Sequence, residues 1–182
     1  AEHLSTFKRW YSQAGTPRLH VVGEHNDSAQ TYTFELRQSC AATPHQPVKD
    51  PFVLPVTVGL VGADGSALPL AMAGDADASA APTSRTLVLH ETSQRFTFTN
   101  ITQDAVPSVL RGFSAPVVLD IVLSDAQWLH LLAHDTDPFN QWEASQRLAL
   151  SRLLSAIRNN EPVVADEAYV SALRHILGND QL

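Results

Sequence analysis

The chain's 182 residues carry 12 Lys and Arg against 19 Asp and Glu, a formal net charge of −7, with 44% hydrophobic and 17% charged residues. That balance is ordinary for a globular chain, and about 70% of the unfolded surface can be buried at this length, so no metal or disulfide staple is required. The scattered basic residues exclude nucleic acid as a partner, because phosphate affinity rests on clustered Lys and Arg.

Along the chain, apolar residues first alternate. Within 31–38, Tyr32, Phe34 and Leu36 fall on one face and Thr33, Glu35 and Arg37 on the other, the period of a half-buried strand. The same pattern recurs at Val56, Val58 and Leu60, at Leu87 and Leu89, at Phe96 and Phe98, and at Val117, Leu119 and Ile121. Asp64-Gly65 is a hairpin turn signal, since Gly tolerates positive φ. The Ala, Asp, Gly and Ser of 71–84 read as a long surface loop. About seven short strands predict an immunoglobulin-like β-sandwich without its disulfide, because Cys40 is the only cysteine.

The pattern changes at Ser124. Ser124 with Gln127 forms a capping box, and Asp137 followed by Pro138 is a second helix start. Behind it Phe139, Trp142, Ala149, Leu153 and Ile157 are expected to form the buried stripe, leaving Glu143, Arg147 and Arg158 for solvent. Asn159 and Asn160 end that helix. A third begins near Asp166, buries Val170, Leu173 and Ile176, and stops at Gly178. The fold class expected is thus mainly β with C-terminal helices. Residues 1–123 form the sandwich, and residues 124–182 open a larger, truncated helical domain. The missing initiator Met agrees with a cut from something longer.

No apolar run reaches the ~18 residues that span a bilayer; the best, 116–123, is short and carries Asp120. The start Ala1-Glu2-His3 shows no secretory signal. A β-rich chain without disulfides fits a reducing compartment, so a cytoplasmic location and no membrane contact are expected. The sequons at Asn26 and Asn100 are then chance matches.

Four segments carry a resemblance: FKRWYSQAGTP at 7–17, CAATPHQ at 40–46, PSVLRGFSAPV at 107–117 and DPFNQWEASQ at 137–146. Together they resemble the region just after the catalytic domain in the bacterial aminopeptidase N family, which are zinc-dependent gluzincins. Lys8 and Gln141 stand where the family pattern has Arg. The resemblance implies a four-part parent that removes N-terminal residues from peptides with one zinc ion. The present chain would be its small β-sandwich and first C-terminal helices. Its partners would be the parent's own catalytic and helical domains, and its function that of a non-catalytic structural connector. A free-standing β-sandwich module that binds protein or glycan is the alternative.

The family's zinc motif H-E-x-x-H places two His on one helix face with a Glu that activates the bound water. His130 and His134 have that spacing, but Leu131 occupies the place of the Glu and Leu153 that of the third ligand. They are read as partly exposed helix residues in preference to an adventitious zinc or nickel site. The run 112–116 resembles a nucleophile elbow around Ser114 until Pro116 stands for the last Gly. Cys40 and His45 lack an oriented third group. Phe7, Trp10 and Tyr11 either anchor the incoming chain or form part of a docking face. No catalytic, cofactor-binding or metal-ligating residue is therefore assigned, no cofactor is expected in this chain, and it is expected to hydrolyse nothing alone.

Overall fold

The computed structural model describes residues 4–75, 77, 80–164 and 166–178. Two helical turns, α1 (Leu4–Phe7) and α2 (Arg9–Ser12), lead into the strands β1 (Arg18–Asn26), β2 (Thr31–Ser39), β3 (Leu54–Gly62), β4 (Ala71–Met72), β5 (Ser84–Leu89), β6 (Ser93–Thr99), β7 (Ala105–Val109) and β8 (Val118–Ile121). The helices α3 (Asp125–His134), α4 (Pro138–Asn159) and α5 (Glu167–Leu177) follow. The strands make a five-stranded sheet ordered β4-β6-β2-β1-β8 and a three-stranded sheet ordered β5-β3-β7.

The period-two residues close one core between the sheets. Tyr32, Phe34, Leu36 and Phe98 of the larger sheet pack in the same cluster as Val56, Val58, Leu60, Leu87 and Leu89 of the smaller. The β1–β2 hairpin is closed by an Asx turn, in which Asn26 Oδ1 accepts from Ser28 Oγ at 2.8 Å and from the Ala29 N–H at 3.0 Å. At Asp64-Gly65 the chain turns as expected, with Gly65 at φ 83° and its N–H bonded to the Gly62 carbonyl.

The strand pattern departs from the sequence reading in two places. Within 71–84, Ala71–Met72 pairs with β6, and Asp75 is tied by two bonds to Arg85, so this part is a sheet edge; residues 76, 78 and 79 lie outside the described residues. The second departure is Gln38, on the inward face of β2 and buried. Its side chain donates to the Phe52 and Glu91 carbonyls at 2.8 and 2.9 Å and accepts from the Phe52 N–H at 2.7 Å. The amide thus stands in for a missing strand partner, satisfying backbone groups that burial would otherwise leave unpaired.

The helices join the sandwich where β3 stops alternating. Val61 turns its side chain out of the sandwich into a second cluster with Leu131, Leu132, Ala144, Leu148 and Ala172. The starts and stops are those the sequence predicts: the Ser124–Gln127 capping box, the Asp137 cap before Pro138, left-handed Asn160 at φ 53°, the Asp166 cap and Gly178 at the C-cap of α5.

The expected stripe on α4 is corrected. Asn140, Ala144 and Leu148 face inward, while Trp142, Leu153 and Ile157 are exposed, Ile157 to 73%. Glu143 and Arg147 are half-buried and paired at 2.7 Å. For Leu153 and Ile157 the reason is length: α4 has 22 residues and α3 only 10, so the later turns of α4 extend beyond what α3 can cover. Trp142, in the first turns, lies off the Asn140–Ala144–Leu148 face. On α5 the buried residue is Ala172, with Leu173 and Ile176 packed against it and Val170 half-buried.

Replacing Gln38 by Leu strands the two buried backbone groups of Phe52 and the partly buried Glu91 carbonyl. Loss of about 3 kcal/mol is expected, read from the midpoint of urea unfolding at unchanged slope.

A candidate functional site where the sandwich meets the helices

The polar side chains that join parts of this molecule gather in two clamps, and the four segments singled out in the sequence supply most of them. The first ties the N-terminal turns to the loop before β3. Arg9 Nη1 donates to the Pro51 carbonyl at 2.6 Å and Trp10 Nε1 to the Val53 carbonyl at 3.1 Å, with the Trp10 and Phe52 rings 4.6 Å apart. Gln13 and Asp50 exchange two bonds of 2.8 Å. Gln46 bridges Ser12 and Ala14, and Lys49 Nζ donates to Ala14 O, Thr43 Oγ1 and Gln46 Oε1 at 2.6–2.8 Å. Of the aromatic trio, Trp10 anchors the chain, whereas Phe7 and Tyr11 are exposed.

The second clamp begins where β7 ends. Leu110, Gly112 and Phe113 all take positive φ of 53–61°, a conformation that costs a bulky residue such as Leu. The turn is held by the burial of Leu110 and Ala115 and by Ser114 Oγ, which accepts from the Thr57 N–H at 2.9 Å. It directs Arg111 back over β3, where a Cβ on Gly59 would lie 2.1 Å from Arg111 Nη1.

From there Arg111 reaches the α3–α4 corner. Its Nη2 donates to Thr136 Oγ1 at 2.5 Å and lies 3.5 Å from Asp135 Oδ1, and the Asp135 side chain is fully buried. Asp135 also caps α3 and accepts from the Asp137 N–H. Asp137 uses one oxygen to cap α4 at the Asn140 N–H and the other to accept from the Gly112 N–H, each at 2.9 Å. Asn140 Nδ2 donates to Ser108 Oγ at 2.7 Å. Burial pushes the Asp135 carboxyl above its ordinary pKa, and hydrogen bonds from Ser108 and the Asp137 N–H, then the Arg111 guanidinium, pull it back. The residues that end one helix and start the next therefore also grip the strand and turn before β8.

In both clamps the polar side chains are engaged with backbone groups and with one another. Of the other sequence candidates, Ser114 and Cys40 belong to these clamps, and His130 and His134 lie apart from them. Ser114 is occupied at Thr57. The Cys40 thiol points at the Ala14 and Ala41 carbonyls, and His45 is exposed at φ 64°. His130 Nε2 donates to the Gly62 carbonyl at 2.8 Å, and its ring is 4.9 Å from that of His134. Among the described residues, no group of three or more His, Cys, Asp or Glu is placed to hold a metal ion. Nor is any described helix long and apolar enough to cross a membrane. What sequence reasoning missed is Gly59, whose signal is a Gly inside an otherwise apolar strand, a mark of close approach.

Arg111→Met leaves the buried Asp135 carboxylate uncompensated and is expected to cost about 3–5 kcal/mol, part of it recovered by adding Asp135→Leu. Gly59→Ala should destabilise the wild type strongly and the Arg111→Met variant much less. A urea double-mutant cycle reads that coupling, and additive losses would refute the contact.

Residues 15–122 match the family model described as a domain of unknown function (DUF3458) with an Ig-like fold, and residues 125–182 match the model described as DUF3458_C, ARM repeats. The chain is 32% identical to aminopeptidase N of Escherichia coli and 34% identical to that of Caulobacter vibrioides, over 98% and 97% of its own length. It spans only 20% and 19% of those relatives. Among solved structures, it superposes with a TM-score of 0.76 on Legionella pneumophila aminopeptidase A in complex with aspartic acid, at 23% identity, covering 98% of this chain and 18% of that one; that likeness speaks to fold. The chain belongs to the DUF3458 family, carrying its Ig-like domain and its ARM-repeat helices in succession, and it is homologous to one stretch of bacterial aminopeptidase N.

Proposed function

We propose that this chain is a non-catalytic connector within a zinc aminopeptidase. It comprises a sandwich unit over 1–123 and the opening of a helical unit over 124–182. The observation that carries the reading is the pair of clamps. One fixes the segment that leads into β1, and the other fixes the corner between the first two long helices. A spacer held at both places transmits orientation from whatever precedes it to whatever follows.

The parent would take peptides and remove their N-terminal residues in the cytoplasm, with zinc held by its catalytic domain. The connector would set the catalytic domain against the helical array and so shape access to the site. In the full-length gene product, Arg111→Met is expected to change kcat and KM together while zinc content stays at the wild-type level. Unchanged kinetics in that variant would remove the connector role. The 182-residue chain supplied with zinc should release no chromophore from aminoacyl-nitroanilides, and turnover above background would sink the non-catalytic reading.

The outer face of α4, the segment after it and the end of α5 support the same reading. Leu150, Ile157, Val163, Val164 and Leu177 are each more than half exposed, and ARM-type helices bury such faces against the next repeat. The chain by itself is expected to self-associate. Its sedimentation coefficient should rise with concentration, and Ile157→Lys should suppress the rise.

A further inference from the structure

Three histidines outside both clamps line up where the Gly62–Ser66 turn, α3 and α5 come together. His130 is fixed by its bond to the Gly62 carbonyl, which accepts only, so Nε2 carries the proton. The His134 ring lies 4.9 Å from that of His130 and 6.0 Å from that of His175 on α5. On its other side is the turn, where a Cβ on Gly65 would meet His134 Nδ1 at 2.7 Å. The middle ring is thus bordered by the turn, by its own helix and by α5.

We propose that His130, His134 and His175 form a proton-sensitive seam that holds the C-terminal end of α5 against α3 while the rings are neutral and releases it when they charge. The N-terminal end of α5 is tied differently. Tyr169 Oη lies 2.8 Å from Ser145 Oγ, Arg152 stacks 5.3 Å over the Tyr169 ring, and Arg152 pairs with Asp166. The Arg152 guanidinium holds the Asp166 carboxyl below its ordinary pKa, so that tie survives mild acid. Acidification therefore swings α5 about its Asp166–Tyr169 end instead of detaching the whole helix.

The direction follows from the surroundings of His134. His134 is exposed, and the partial desolvation it meets, then His130, then His175 hold its imidazole below the ordinary pKa. A ring that resists protonation in the docked state favours docking at pH above the free value near 6.5, and this contribution fades as pH falls through that value toward the docked one. Among the described residues, no carboxylate forms an ion pair with these rings. Asp64 on the turn accepts from Ser66, Asp104, which lines the same cleft as His130, lies 3.9 Å from His25, and Glu167 pairs with Arg174.

The test is an NMR titration of the 182-residue chain from pH 8 to pH 5. His134 is expected to titrate below a free histidine, with amide signals of 173–177 moving at the same midpoint and those of 167–170 and β2 staying in place. His175→Gln removes a like charge and should raise the His134 midpoint, and adding His134→Gln to His175→Gln should abolish the response at 173–177. Equal movement at both ends of α5, an unshifted His134 midpoint in His175→Gln, or a response that persists in the double variant would each overturn the seam.

Discussion

The guanidinium of Arg111 is the contact on which the relation between strands and helices depends. It lies over Gly59 of β3 on one side and meets Thr136 and Asp135 on the other, so one side chain spans both layers. A buried ion pair is a poor source of net stability, because desolvating two charges offsets most of their attraction. Its strength is directional: a planar fork of donors accepts few geometries. Hydrophobic packing of Val61 and Val106 against Leu131 and Leu132 supplies adhesion but would tolerate sliding. The polar clamp selects one register among those that packing allows.

The same division holds at the N-terminal side. Trp10 packs on Phe52, and around that contact Gln13, Gln46 and Lys49 bond to backbone groups of the facing loop. Side chains that bond backbone fix a loop's path whatever its own side chains are. A loop such as 40–53 lacks strand partners for most of its length, and these amides and one ammonium replace them. Gln38 does the equivalent work inside the sandwich.

Much of this was legible in the sequence, for identifiable reasons. Helix caps are local, so Ser124, Asp137, Asn160 and Asp166 are found where short-range rules put them. Strand faces with one buried side alternate, so Phe34 and Leu36 are recognisable as core. The inward face of α4 was not legible. It is made by Asn140 and Ala144, a polar and a small residue that suit the contact with Ser108 and the close approach of α3, together with Leu148. The larger apolar residues Trp142, Leu153 and Ile157 mark instead a face without a neighbour in the described residues. Gly59 and Gln38 are equally silent in one dimension, since their roles depend on Arg111 and Phe52, far off in the chain.

The parallel pairing of β1 with β8, Arg18 opposite Val118 through Val21 opposite Ile121, has a mechanical consequence. The chain enters the sandwich at the start of β1 and leaves it at the end of β8, along neighbouring strands that run the same way. Tension applied through the flanking segments therefore pulls these strands past each other lengthwise, and every hydrogen bond between them is loaded at once. An antiparallel pair pulled from one end would open bond by bond, like a zipper. Four paired positions in shear make the junction of first and last strands the stiff point of the sandwich under load.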